Sequence, residues 1–328
     1  MDSTTLLGIT GAAVLAFVNG ANDISKSIAT LVGSGESSYK RAVILVALST
    51  AAGAILASAW AVKMTLLFTR GMLSPRIKIN EIFALAVLAG AILWILMATK
   101  IGLPVSTTHA IVGSVILTGV YAFGFRNVFW SSLTRNVVLP LLVSPIAAFV
   151  AARLIFRGLF WLCRKKYCLN CHWAHWMSAL SSGFARGLND TPKIAALGFI
   201  FYYILDPQIH VAPKWFFLIL AAAMASGAIA MGLQVTKTLA EKITQMDHLE
   251  GFAANLATSM LVIIGAIAGW PMSTTHVASG GIMGIGLRNG EKAIDWKTVG
   301  EILAAWVITL PAAGMMGMAA YWAFKKLK

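Results

Sequence analysis

The chain has 328 residues, 59% of them hydrophobic and only 12% charged, with a mean hydropathy of +0.79 and a formal net charge of +14. A water-soluble surface needs about a quarter of its residues charged, so this composition excludes an ordinary soluble domain and defines a multi-pass membrane protein. The basic residues are spread over loops and ends, as in Arg164-Lys165-Lys166 and Lys325-Lys326, which fits anchoring at an anionic lipid surface and not nucleic acid.

In chain order, Met1 to Thr5 carry no basic segment, and the first apolar run leads into Asn19 to Gly35 (NGANDISKSIATLVGSG) without a small-residue cleavage site. The first helix is therefore expected to be retained. Runs near the length needed to span hydrocarbon follow over Arg41 to Val62, Ile82 to Met97, Val137 to Phe156, Trp215 to Leu233 and Ile302 to Phe324. The pattern predicts about five apolar segments in each half, about ten in all. With that count the basic loop near Lys165 and the basic C-terminus fall on opposite faces, so loop charge does not fix the orientation.

Two unlike motifs recur at one offset. Gly20-Ala21-Asn22-Asp23 returns as Gly187-Leu188-Asn189-Asp190, and Pro104-Val105-Ser106-Thr107-Thr108-His109 returns as Pro271-Met272-Ser273-Thr274-Thr275-His276, each 167 residues later. Lys26 and Lys193 keep the same spacing. The chain is thus expected to be a duplicated membrane unit, with repeats over residues 1–160 and 176–328 joined by a basic loop over 161–175 that contains Cys and His. An odd number of crossings per unit makes the copies inverted. The predicted fold class is an all-α polytopic membrane protein with an inverted repeat and interrupted or re-entrant helices, an architecture that places a substrate near the bilayer midplane.

Asp23 and Asp190 are the two acidic residues well inside apolar segments, and each has a lysine three residues on, at Lys26 and Lys193. A charge inside hydrocarbon is costly unless paired or hydrated, and Asp to Lys at i, i+3 lies on one helix face. A purely structural ion pair is the bland alternative, but duplication at one offset favours a working site. In the second motif, Gly and Pro break the apolar run and Ser and Thr then cap a new helix. Free N–H groups at such a start attract an anion. The alternative is a plain helix restart. The substrate-binding set is accordingly Asn22, Asp23, Lys26, Ser106, Thr107, Thr108, Asn189, Asp190, Lys193, Ser273, Thr274 and Thr275. Asp23, Asp190, His109 and His276 are the candidates for a coupling proton, although a His that only donates to a backbone carbonyl would look the same.

Cys168-Leu169-Asn170-Cys171-His172 reads formally as a haem-attachment string, and with Cys163 it can be written as a zinc set of Cys163, Cys168, Cys171 and His172. Free thiols are the preferred reading. No cofactor is expected. Three cysteines suggest no disulfide framework, and neither a nucleotide loop nor a nucleophile and base set is present to mark an enzyme.

GANDISKS and GLNDTPKI resemble the paired GAND signatures of the PiT inorganic phosphate transporter family, and PVSTTH and PMSTTH resemble its second repeated motif. The resemblance spans nearly the whole chain. It implies an inverted-repeat symporter for a tetrahedral oxyanion, driven in such families by sodium or protons. The usual signature GANDxANA has an Asn where Lys26 and Lys193 stand here. An ammonium group donates and cannot accept, so it removes an oxygen ligand that sodium would need. That departure resembles the CysP-type sulfate permease branch. The expectation is therefore a sodium-independent, proton-coupled carrier with sulfate first and phosphate second. An anion channel or an oxyanion-sensing receptor is the alternative from another class. The expected location is a plasma membrane, the inner membrane in a bacterium. The oxyanion, the proton and the bilayer are its partners, and a homodimer is left open.

Overall fold

A computed structural model describes residues 3–164, 171–205, 212–241, 246–290, 292 and 294–327. The first repeat runs α1 (Ser3–Asp23), α2 (Ser25–Gly33), α3 (Tyr39–Trp60), α4 (Val62–Arg70), α5 (Glu81–Lys100), α6 (Thr107–Phe123), α7 (Trp130–Leu133) and α8 (Leu139–Arg164). The second runs α9 (Cys171–Leu205), α10 (Lys214–Met231), α11 (Leu233–Glu241), α12 (His248–Ala268), α13 (Thr274–Gly286) and α14 (Trp296–Leu327). A π-helical turn over Thr134–Val138 joins α7 to α8. Among the described residues there is no strand, only an isolated bridge between Leu73 and Val128.

Seven helical segments are long and apolar enough to cross a membrane: Thr5–Gly33, Tyr39–Trp60, Glu81–Lys100, Trp130–Leu162, Lys214–Met231, His248–Ala268 and Trp296–Leu327. The segments missing from the expected ten are of two kinds. α9 is 35 residues long, about 50 Å at 1.5 Å per residue, but carries Arg186, Asp190 and Lys193. α6 and α13 have 17 and 13 residues, too short for a full crossing. Of the predicted connecting loop over 161–175, residues 161–164 finish α8 and 171–175 begin α9, and residues 165–170 lie outside the described ones.

The bundle is apolar outside, and a set of polar and charged side chains is gathered within its apolar interior. Ile146, Leu142 and Val307 on α8 and α14 are exposed, as a lipid-facing surface requires, whereas Asn19, Asp23, Lys26, Arg186, Asp190 and Lys193 are buried. The repeats interlock: α1 packs on α10, α3 on α9, α6 on α14 and α13 on α8. Small residues allow the helices to approach this closely. A Cβ at Gly20 would lie 1.9 Å from the Met224 carbonyl oxygen, and one at Gly187 would lie 2.0 Å from that of Thr50.

Helix ends repeat as well. The Asn80 side chain caps α5 by accepting from the Phe83 amide, and Asp247, 167 residues on, caps α12 through a reciprocal pair with Glu250. α5 and α12 then stop at Gly102 and Gly269, both at positive φ, 73° and 83°. The chain continues without helical structure through residues 103–106 and 270–273 before α6 and α13 begin. This interruption frees backbone groups beside the buried charges.

Candidate functional site

The freed carbonyls of Val105 and Met272 each face a lysine. Lys26 Nζ forms a direct ion pair with Asp23 Oδ1 and donates to Asn22 Oδ1 at 3.1 Å and to the Val105 carbonyl at 2.9 Å. Lys193 Nζ donates to Asp190 Oδ1 at 3.0 Å, to the Met272 carbonyl at 3.0 Å and to Thr108 Oγ1 at 2.7 Å. Each ammonium thus has three protein oxygens for its three hydrogens. Carboxylate, carbonyl and amide or hydroxyl oxygens are the ligands a hard cation takes, so each ammonium sits among oxygens of that kind. The lysines were expected to contact the substrate too. In this conformation neither has a hydrogen to spare for it.

The hydroxyls tie the halves together. Ser273 Oγ donates to Ser106 Oγ at 2.9 Å, while Ser106 and Ser273 each accept from the amide of the histidine three residues on, capping α6 and α13. Thr275 donates to the Val105 carbonyl at 2.8 Å, and Thr108 donates to that of Met272 at 3.2 Å. Thr107 and Thr274 donate to Asp23 Oδ2 at 3.4 and 3.2 Å. Asn22 accepts from the Val105 amide, and Asn189 donates to Asp190 and to the Met272 carbonyl. All twelve residues predicted to bind substrate are therefore brought into one buried centre.

The two carboxylates meet at a residue that the motif search passed over. Asn19 Nδ2 lies 3.1 Å from Asp23 Oδ2, 3.4 Å from Asp190 Oδ2 and 2.9 Å from Thr107 Oγ1. Its counterpart 167 residues on is Arg186, one helical turn before Asp190. Arg186 is 1% exposed, interacts electrostatically with Asp23 and Asp190, and among the described residues has no hydrogen-bond partner at Nε or at either terminal nitrogen. The signal that could have found both is the same offset, read for position and not for identity.

His109 and His276 lie side by side, with ring centroids 4.6 Å apart. His276 stacks on Trp306 at 3.7 Å, and its Nδ1 lies 3.1 Å from the Leu141 carbonyl, an oxygen that can only accept, so this nitrogen carries the hydrogen. Among the described residues no hydrogen bond joins either ring to Asp23 or Asp190. Of the zinc set, Cys168 lies outside the described residues, as do the side chains of Cys163 and Cys171, and His172 turns to Glu36.

Fold and centre together define a multi-pass transporter built from two interlocked copies, with its charges gathered where the copies meet. The family model of the phosphate transporter family (PHO4) matches residues 19–170 and, a second time, residues 164–317, and the chain belongs to that family. A probable low-affinity inorganic phosphate transporter of Rhizobium meliloti (strain 1021) is 30% identical over 336 residues, covering 98% of each chain. One of Bacillus subtilis (strain 168) is 29% identical over 329 residues, covering 97% of this chain and 96% of that protein. A solved structure, "The sodium-dependent phosphate transporter", matches the fold with a TM-score of 0.88 over 100% of both chains at 22% identity. The expected kinship with the sulfate permease branch finds no support in these names, which favour the phosphate alternative.

Proposed function

We propose that this protein carries inorganic phosphate across the membrane as a secondary transporter, coupled to protons and independent of sodium. The observation that carries this reading is Arg186, a buried guanidinium with no hydrogen-bond partner among the described residues. Its five N–H donors match a tetrahedral oxyanion, and buried donors without hydrogen bonds are costly until an anion arrives. Arg186, Lys26 and Lys193 set three positive charges against the two of Asp23 and Asp190, leaving one in excess.

Phosphate is supported over sulfate by the relatives' names and by chemistry. Phosphate has a proton to donate at neutral pH and sulfate has none, and Asp190 Oδ2 accepts only the long bond from Asn19 among the described contacts. A ligand with its own hydrogen suits that oxygen. Two carboxylates joined at one amide also suit a shared proton, which favours the Asp23 and Asp190 pair over the histidines as the coupling group. That proton raises the excess to two positive charges, the match for a dianion. The filled lysine cages support independence from sodium.

Uptake of labelled phosphate and sulfate into proteoliposomes, with sodium and pH gradients imposed separately, tests the reading. Phosphate uptake in choline medium, accelerated by an inward proton gradient, is expected. Arg186→Gln should weaken apparent phosphate affinity by about tenfold or more, since a hydrogen bond to a charged group contributes about 1.5–3 kcal/mol. Uptake of sulfate alone, or an absolute requirement for sodium, would overturn it.

A further inference from the structure

The end of α2, the start of α9 and the start of α12 bring together a second cluster of polar groups, apart from the oxyanion centre. Glu36 lies in the turn between α2 and α3. Its Oε2 is 2.6 Å from His172 Nδ1 and 3.1 Å from His248 Nδ1, and one ligand atom from each residue lies within 4.8 Å of the other two. The two imidazoles face each other with centroids 4.3 Å apart. His175 stands behind them, 6.1 Å from the His248 ring, with its Nε2 against Thr30.

We propose that Glu36, His172 and His248 bind one divalent transition-metal ion of the zinc class. Tetrahedral zinc with bonds of about 2.1 Å spaces its ligands about 3.4 Å apart, and the two carboxylate–imidazole separations, 2.6 and 3.1 Å, fall a little short of that value. A small rotation of the His172 ring away from the carboxylate seats the ion. Two imidazoles and one carboxylate select zinc, cobalt or nickel over calcium and magnesium, which take oxygen. Water completes the coordination, because His172 is open to solvent, its side chain 63% exposed. Two histidines set against one carboxylate oxygen leave a nitrogen without its best partner: among the described residues His248 Nδ1 makes no well-formed hydrogen bond, although Glu36 is close. An ion satisfies both rings at once.

The site has a structural consequence. Glu36 follows α2, the helix of Lys26, whereas His172 begins α9, the helix of Arg186, Asp190 and Lys193. A bound ion ties the two motif-bearing helices at one end of the bundle and resists their separation.

Zn2+ titration of the purified, metal-stripped protein in detergent, by calorimetry and elemental analysis, tests the site without reference to transport. One ion per chain and a raised thermal midpoint are expected. His172→Ala, His248→Ala and Glu36→Gln, made separately, should each weaken binding by more than about tenfold while leaving the metal-free melting profile near that of the parent. His172→Ala is the arm least exposed to a folding defect, because that side chain faces solvent. Zn2+ binding that survives all three changes, or that is lost only when Cys163, Cys168 and Cys171 are changed to Ser, would overturn the proposal.

Discussion

Ser273 donates a 2.9 Å hydrogen bond to Ser106, the residue 167 positions earlier that holds the same place in the other repeat. Residues that touch their own counterparts lie on the symmetry axis of a duplicated fold, so the axis passes between these hydroxyls. Each serine also caps the helix that follows it. One pair of atoms therefore joins the repeats and starts both half-length helices.

That double duty predicts non-additive substitutions. Ser106→Ala and Ser273→Ala should each lower stability by about 1 kcal/mol, the usual worth of a cap. The double variant should lose less than the sum, because either single change already removes the bond between them. Thermal denaturation of the four proteins in detergent measures this. Strict additivity would show that the contact between the serines contributes nothing.

The interlocked packing makes a sharper contrast. At Gly187 an added Cβ would sit 2.0 Å from a backbone oxygen, which no rotamer change can relieve. Gly187→Leu should prevent α9 from seating on α3 and abolish recovery of folded protein. Gly158→Ala, on α8 with none of the described residues within 4 Å of the new atom, should be neutral or raise stability by about 0.5–1 kcal/mol through helix propensity. Size-exclusion profiles and thermal midpoints distinguish the two.

Much of the centre was legible in the sequence because duplication wrote it twice. Asp23 with Asp190, Lys26 with Lys193 and the two Ser-Thr-Thr strings share type and offset, and all fall in one place. Asn19 and Arg186 were not legible by that rule, since the copies differ in residue type at this position. The shortest helices were hard to see for another reason: α2, α4 and α11 have nine residues each, below any hydropathy window for a span. The continuity of α9 was hidden too. Its Pro192 occupies the place of Ser25, where the first copy breaks between α1 and α2, yet the second copy runs through it as helix. The partners of His172 come from positions 36 and 248, distances at which local spacing carries no information.

The ion pairs should behave as units. Lys26→Ala strands Asp23 and leaves the Asn22 and Val105 oxygens without their shared donor. A loss of about 3–5 kcal/mol is expected for breaking one buried pair. Removing the charge on both sides, as Asp23→Asn with Lys26→Ala, should be much milder in thermal stability than the two single losses summed. Equal or greater damage from the double change would mean that the pair is held apart from the rest of the centre and contributes little by its charge.

The last prediction asks what the lysines replace. Each ammonium is ringed by oxygens: Asp23, Asn22 and Val105 around Lys26, and Asp190, Met272 and Thr108 around Lys193. Removing both ammonium groups while supplying one amide oxygen to each cage leaves two oxygen-lined sites beside two bare carboxylates, an arrangement with affinity for a hard monovalent cation. The Lys26→Asn, Lys193→Asn protein should therefore lose phosphate uptake in choline medium, because the centre goes from one positive charge in excess to one negative and repels the anion. Added sodium should restore part of that uptake, with a dependence on sodium that the parent protein lacks. Uptake by this variant at the parent rate without sodium would show that the lysines only brace the helices, and the inference from filled cation cages to sodium independence would then fail.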